Sequence, residues 1–235
     1  MKTRFPDLRE QVLAANRSLF DRGLAPFTFG NASGVDRAAG AVAIKPSGVR
    51  YVDLTPDDLV VVDLDGGVVE GLRRPSSDLP THLVLYRAFA SIGGVAHAHS
   101  HYATAWAQSG REIPCLGTTH ADHFRGAIPV VGHLRQSEIV GEYEANTGHA
   151  IVRRFVGIDP MQIPAVLVAG HASFCWGASV TDAVETMAVL EEVARLAFDT
   201  VRLNDVAEPI PDHLRDKHFL RKHGSGAYYG QPKGK

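Results

Sequence analysis

An α/β domain, with a mixed and mostly antiparallel central sheet flanked by helices, is the expected fold of this 235-residue chain. Three observations point to it. Short apolar runs bounded by Gly, Pro or Asp recur at Ala41–Lys45, Leu59–Leu64, Gly93–His99 and Ala165–Val168, and runs of that length read as buried strands. Asp65-Gly66-Gly67, between two such runs, is a hairpin turn, so part of the sheet is antiparallel. Segments with apolar residues at helical spacing stand towards both ends, and strands outnumber clear βαβ alternations.

Leu8, Val12, Leu13, Leu19 and Phe20 keep a helical period and Gly23 offers a stop, predicting a helix from about Asp7 to Arg22. Phe27-Thr28-Phe29 reads as a short strand running into Gly30-Asn31-Ala32-Ser33. Ala41–Lys45 is a strand closed by Pro46-Ser47-Gly48. Thr55 caps a helical turn that starts at Pro56. Leu59–Leu64 and Val68-Val69 pair across the hairpin. Pro75-Ser76-Ser77-Asp78 opens a helix through about Phe89, with Ser77 as its cap. Gly93–His99 is the central strand, and a helix follows from His101 to Ser109. Ile113–Leu116 and Ile128–Val131 are short strands around a polar loop, Thr118–His123. Glu138–Val156 is one long helix, weakest at Asn146-Thr147-Gly148. Thr181–Arg202 is a strong helix, and the tail from Pro209 holds a short basic helix before Gly224–Gly230. No linker, repeat or low-complexity tract divides residues 1–235, which are read as one domain.

A net charge of −2 excludes a broad nucleic-acid footprint. No apolar run is long enough to span a bilayer, and the first residues lack the apolar centre of a signal peptide. Cys115 and Cys175 stand in apolar surroundings and read as buried free thiols, from which a cytoplasmic location is expected.

The chemistry gathers at the end of the central strand. His97 and His99 share strand parity and so point the same way. They are either ordinary polar residues closing a strand or a pair of metal ligands. His171, after a second buried strand, is either a satisfied core histidine or a third ligand, and Asp78 at a helix start is a carboxylate that could complete the set. Gly30-Asn31, Ser47-Gly48 and Ser76-Ser77 are turns or caps taken singly; taken together, with Lys45 nearby, their N–H groups and hydroxyls suit a phosphate. Asp122, flanked by histidines, is an acid/base candidate or the centre of an Asx turn. Tyr228-Tyr229 lies among glycines, a structural clasp or a phenol docked on a neighbouring subunit.

Gly30-Asn31-Ala32-Ser33, Ile44-Lys45-Pro46-Ser47-Gly48-Val49, Pro75-Ser76-Ser77-Asp78, His97-Ala98-His99-Ser100, Thr118-Thr119-His120-Ala121-Asp122 and the tail from Asp216-Lys217-His218 to Tyr228-Tyr229-Gly230-Gln231 resemble the L-ribulose-5-phosphate 4-epimerases of the class II aldolase superfamily. The resemblance runs in order along nearly the whole chain. It implies one zinc or other divalent ion per subunit, held by His97, His99 and His171 with Asp78 on or near it. It implies a substrate phosphate held by Asn31, Lys45, Ser47, Gly48, Ser76 and Ser77. Asp122 and Tyr229 match the acid/base pair, with Tyr229 supplied by the adjacent subunit of a C4 homotetramer. The tail 209–235 would thus complete a neighbour's site, with His218 near that interface. The implied reaction is retro-aldol cleavage of a ketopentose phosphate between carbons 3 and 4, then re-addition to the aldehyde's other face, without hydride transfer.

One stretch departs from the pattern. Where the family often has His-Ser-His-Gly-Pro-Phe, this chain reads Ala169-Gly170-His171-Ala172-Ser173-Phe174, keeping the ligand and changing its neighbours. Two rivals are weighed. An aldolase of the L-fuculose-phosphate kind carries Glu in place of Asp78 and lacks Asp122 and this tail. An interaction module like the adducin head domain has lost metal ligands that this chain retains.

Overall fold

The computed structural model describes residues 3–230. Its strands are β1 (Asn31–Asp36), β2 (Ala41–Ile44), β3 (Val60–Asp63), β4 (Val68–Glu70), β5 (Gly94–Ala98), β6 (Val130–Val131), β7 (Ala165–Val168) and β8 (Ser173–Gly177). They form one sheet in the order β4-β3-β2-β1-β5-β8-β7-β6. Every pair is antiparallel except β6 with β7. The helices are α1 (Pro6–Asp21), α2 (Leu79–Ala88), α3 (His101–Ser109), α4 (Thr118–Ala121), α5 (Gln136–Val140), α6 (Tyr143–Arg154), α7 (Val180–Leu203) and α8 (Asp212–His223).

Strand alternation sorts the core into two layers. Ala43, Val61, Ala96, Leu167 and Cys175 turn towards α1, α3 and α7, meeting Val12, Trp106, Val184 and Met187. Val42, Ile44, Val62, Val95, Phe174 and Trp176 turn the other way, onto Leu83 and Tyr86 of α2 and Ile151 of α6. Both faces are covered, so the central strands read as unbroken apolar runs. Phe174 and Leu85 are essentially fully buried, each contributing on the order of 1.5–3 kcal/mol. His97 has the parity of Val95, so its ring lies on the α2 side, stacked on Phe174 at 4.2 Å.

Several expectations are corrected. Phe27-Thr28-Phe29 is a turn: Phe27 has φ 59°, the Phe29 amide bonds to Pro26 O at 3.1 Å, and the strand starts at Asn31. The predicted helix Glu138–Val156 is two, α5 and α6, broken where Gly141 adopts φ −85°, ψ −129°. The suspected weak point at Gly148 is instead inside α6 and buried. There α2 crosses so closely that a Cβ on Gly148 would sit 2.8 Å from Val84 Cβ. Ile113 and Ile128 share an isolated bridge, so Ile113–Leu116 is no strand and Ile128–Val131 keeps only Val130–Val131 as β6, and the loop Thr118–His123 contains α4. Ser173–Gly177 is a strand that its mixed Ser-Phe-Cys-Trp-Gly composition hid. Both cysteines are free and buried, and among the described residues no helix is long and apolar enough to cross a membrane.

Candidate metal and phosphate site

His97 is the penultimate residue of β5, His99 follows the strand, and His171 sits in the tight turn between β7 and β8. Because β5 and β8 are neighbours, the three side chains meet: one ligand nitrogen from each lies within 4.8 Å of the others. His97 Nδ1 is 2.9 Å from Ser173 O. A carbonyl only accepts, so Nδ1 carries the proton and Nε2 keeps its lone pair for a metal. Burial, with His97 and His99 beside it, pushes His171 down to about 4, and burial lowers His99 as well. Imidazoles that close, with a carboxylate at the same cavity, are a donor set that fits a divalent metal.

That carboxylate is Asp78, which takes the N-cap position of α2 expected for Ser77 but makes no capping bond with its side chain. Instead Oδ2 accepts from Asn31 Nδ2 at 2.6 Å. Burial alone would raise its pKa; His97, His82, the Asn31 amide and His171 outweigh this and hold it below the ordinary value. Asp78 is not in the tight cluster formed by the three imidazoles.

The cavity is about 510 Å³ and joins the histidines and Asp78 to Asn31, Lys45, Ser47, Gly48, Ser76 and Ser77. The two loops are stitched together by Ser47 N–H to Arg74 O and Ser76 N–H to Lys45 O, both 3.0 Å. Gly30, at φ 78°, is required where β1 crosses β5, since a Cβ there would lie 2.5 Å from His97 O. Lys45 is 2% exposed, and among the described residues Nζ reaches only Pro46 O at 3.5 Å and the Tyr51 ring at 4.8 Å. Desolvation lowers its pKa to about 8 despite the pull of Asp78. A buried ammonium with so few partners, on a polar cavity, can receive an anion there.

Asp122, His218 and Tyr229 form a separate cluster and do not line this cavity. Asp122 closes α4 and is held by α8: Arg221 donates twice to its carboxylate, at 2.9 and 2.6 Å, and His218 Nδ1 lies at 3.1 Å. Tyr229 is 58% exposed and packs on Arg221 and Lys222. The expected segment 209–235 is described only to residue 230.

Sequence reasoning missed three neighbours. His82 is fully buried behind the site, with Nδ1 2.7 Å from Ser33 Oγ; burial pushes it down to about 3. Its position four residues after Asp78, on the same helix face, was the available signal. Tyr143 stands 6.3 Å from His171, ring to ring, and Arg221 binds Asp122. Neither had a local pattern to mark it, because both contacts are long-range.

Residues 10–198 match the Class II Aldolase and Adducin N-terminal domain family. L-ribulose-5-phosphate 4-epimerase UlaF of Salmonella paratyphi B is 52% identical over 224 residues, 95% of this chain and 98% of that one. A solved L-fuculose 1-phosphate aldolase aligns with TM-score 0.77 at 26% identity, over 93% of this chain and 96% of its own. The L-fuculose-1-phosphate aldolase of Thermus thermophilus aligns with TM-score 0.67 at 24% identity, over 85% and 97%, a likeness of fold alone. On these matches the chain belongs to the class II aldolase and adducin N-terminal domain family, among its L-ribulose-5-phosphate 4-epimerase members.

Proposed function

We propose that this protein interconverts L-ribulose 5-phosphate and D-xylulose 5-phosphate by breaking and remaking the bond between carbons 3 and 4. The observation that carries the reading is one cavity in which a three-histidine cluster faces a buried, nearly unpartnered lysine. That pairing calls for a substrate with a chelating oxygen pair at one end and an anion at the other. The identity to an L-ribulose-5-phosphate 4-epimerase over nearly all of both chains selects the epimerisation.

His97, His99 and His171 would hold a divalent ion, zinc by preference for neutral imidazoles, with Asp78 on or near it. Such an ion supplies Lewis acidity for the charge that cleavage leaves on the ketose oxygen. Lys45, Ser47, Gly48, Ser76 and Ser77, with Asn31, bind the phosphate and keep the aldehyde fragment in place while it turns its other face. One of Asp122 and Tyr229 takes the proton of the carbon-4 hydroxyl, and the other returns one after re-addition. Since neither lines the cavity of its own chain, the tail of an adjacent subunit in a homotetramer brings Tyr229 to it, near His218.

Incubating the protein with L-ribulose 5-phosphate and zinc is the test, and D-xylulose 5-phosphate is the expected product. The likeness to an L-fuculose 1-phosphate aldolase favours a second reading, cleavage with release. Free fragments accumulating in the same assay would establish that reading and sink the first.

A further inference from the structure

Asp122 and Tyr229 are joined in this chain by one side chain. Arg221, in the last turn of α8, donates Nε–H to Asp122 Oδ1 at 2.9 Å and Nη2–H to Oδ2 at 2.6 Å. Its guanidinium lies 4.8 Å from the centre of the Tyr229 ring. Its carbonyl accepts the amides of Tyr228 and Tyr229 at 3.0 and 3.1 Å. We propose that Arg221 is a positioning residue that binds Asp122 and Tyr229 into one unit, so that a single subunit presents both proton carriers together. This rests on the epimerase reading, which makes those two residues the carriers.

Other charges surround Asp122, and none of them binds both its carboxylate oxygens. From α8, His218 reaches Oδ1 at 3.1 Å, Lys222 stands 3.9 Å from Oδ2, and His223 bonds only the Asp122 carbonyl. His123 is its chain neighbour, 3.4 Å from Lys222. From α7, Asp182 and Glu185 line the cavity that His123 and His223 share. Lys222 also lies over the Tyr229 ring, 4.6 Å from its centre, but touches the carboxylate only as a point charge, whereas Arg221 grips both carboxylate oxygens in a two-pronged bond while its guanidinium lies over the phenol ring. A lysine can supply the charge but not the planar fork, so Arg221→Lys separates geometry from charge.

The experiment assays wild type, R221K, R221Q, D122N and Y229F on L-ribulose 5-phosphate with zinc, across the pH range, with melting temperature and metal content measured for each. R221K is expected to lose about 10- to 100-fold in kcat, as for a misplaced catalytic group, with KM little changed and metal content intact. The acid limb of its pH profile moves to higher pH, because a carboxylate without its fork protonates more readily. R221Q shows both effects more strongly. If R221K and R221Q keep the wild-type limb, losing activity only as their melting temperatures fall, while D122N and Y229F are impaired, the inference is overturned. Full activity in D122N and Y229F overturns instead the epimerase assignment beneath it.

Discussion

Burying the ammonium of Lys45 costs the fold stability that the Tyr51 ring and one carbonyl only partly offset, and a phosphate in the cavity would restore the balance. Lys45→Met is therefore expected to raise KM by about 10- to 100-fold, the worth of a charged hydrogen bond, and to melt no lower than wild type. The sign of the pH effect follows from desolvation, which brings Lys45 to about 8. Below that pH the side chain is charged and attracts phosphate; above it the charge is lost and KM rises. Titrating KM through this range checks it: a basic limb present in wild type and absent in Lys45→Met is expected, and identical limbs would contradict the role. The gathering of these residues in one cavity was legible because it is written locally, as His-x-His on a strand, a lysine after another, and serines at a helix start. Arg221 and Tyr143 were not legible, since their partners lie far along the chain and only the fold selects them.

Among the elements, α2 matters most for the site, because its N-terminus carries Asp78 and the Ser76-Ser77 loop. Its depth is set by α6, which it meets over Gly148. Gly148→Ala would gain about 1 kcal/mol of helix propensity in isolation. The added Cβ, 2.8 Å from Val84 Cβ and 3.1 Å from Thr81 O, forces the helices apart at a cost of about 1–3 kcal/mol. Net destabilisation is expected, read as a lower midpoint in urea, together with weaker metal binding as Asp78 shifts. A midpoint at or above wild type would show that the crossing has room to relax. Gly148 looked like a helix breaker from its neighbours alone, whereas close packing is what demands it. The same limit explains β8: Phe174 and Trp176 face one layer and Cys175 the other, so the strand shows neither alternation nor a uniform apolar run.

The molecule as a whole separates the cavity of the three histidines and Lys45 from Asp122 and Tyr229, the proposed proton carriers, and assembly is what would reunite them. Mixing variants tests this. His97→Ala removes a metal ligand and leaves the tail intact, while Tyr229→Phe keeps the metal cavity and loses the phenol. Each alone is expected to be nearly inactive, the second slowed about a hundredfold as for loss of a general acid. In a C4 assembly each cavity borrows one neighbour's tail. Equal mixing by unfolding and refolding together then restores an intact pair in about one cavity in four, by random placement around the ring. Activity near that fraction is expected from the co-refolded mixture, and none from the two proteins combined without exchange of subunits. If every cavity were served by its own tail, no arrangement of these two chains could contain His97 and Tyr229 at one site, and the co-refolded mixture would stay as inactive as its components.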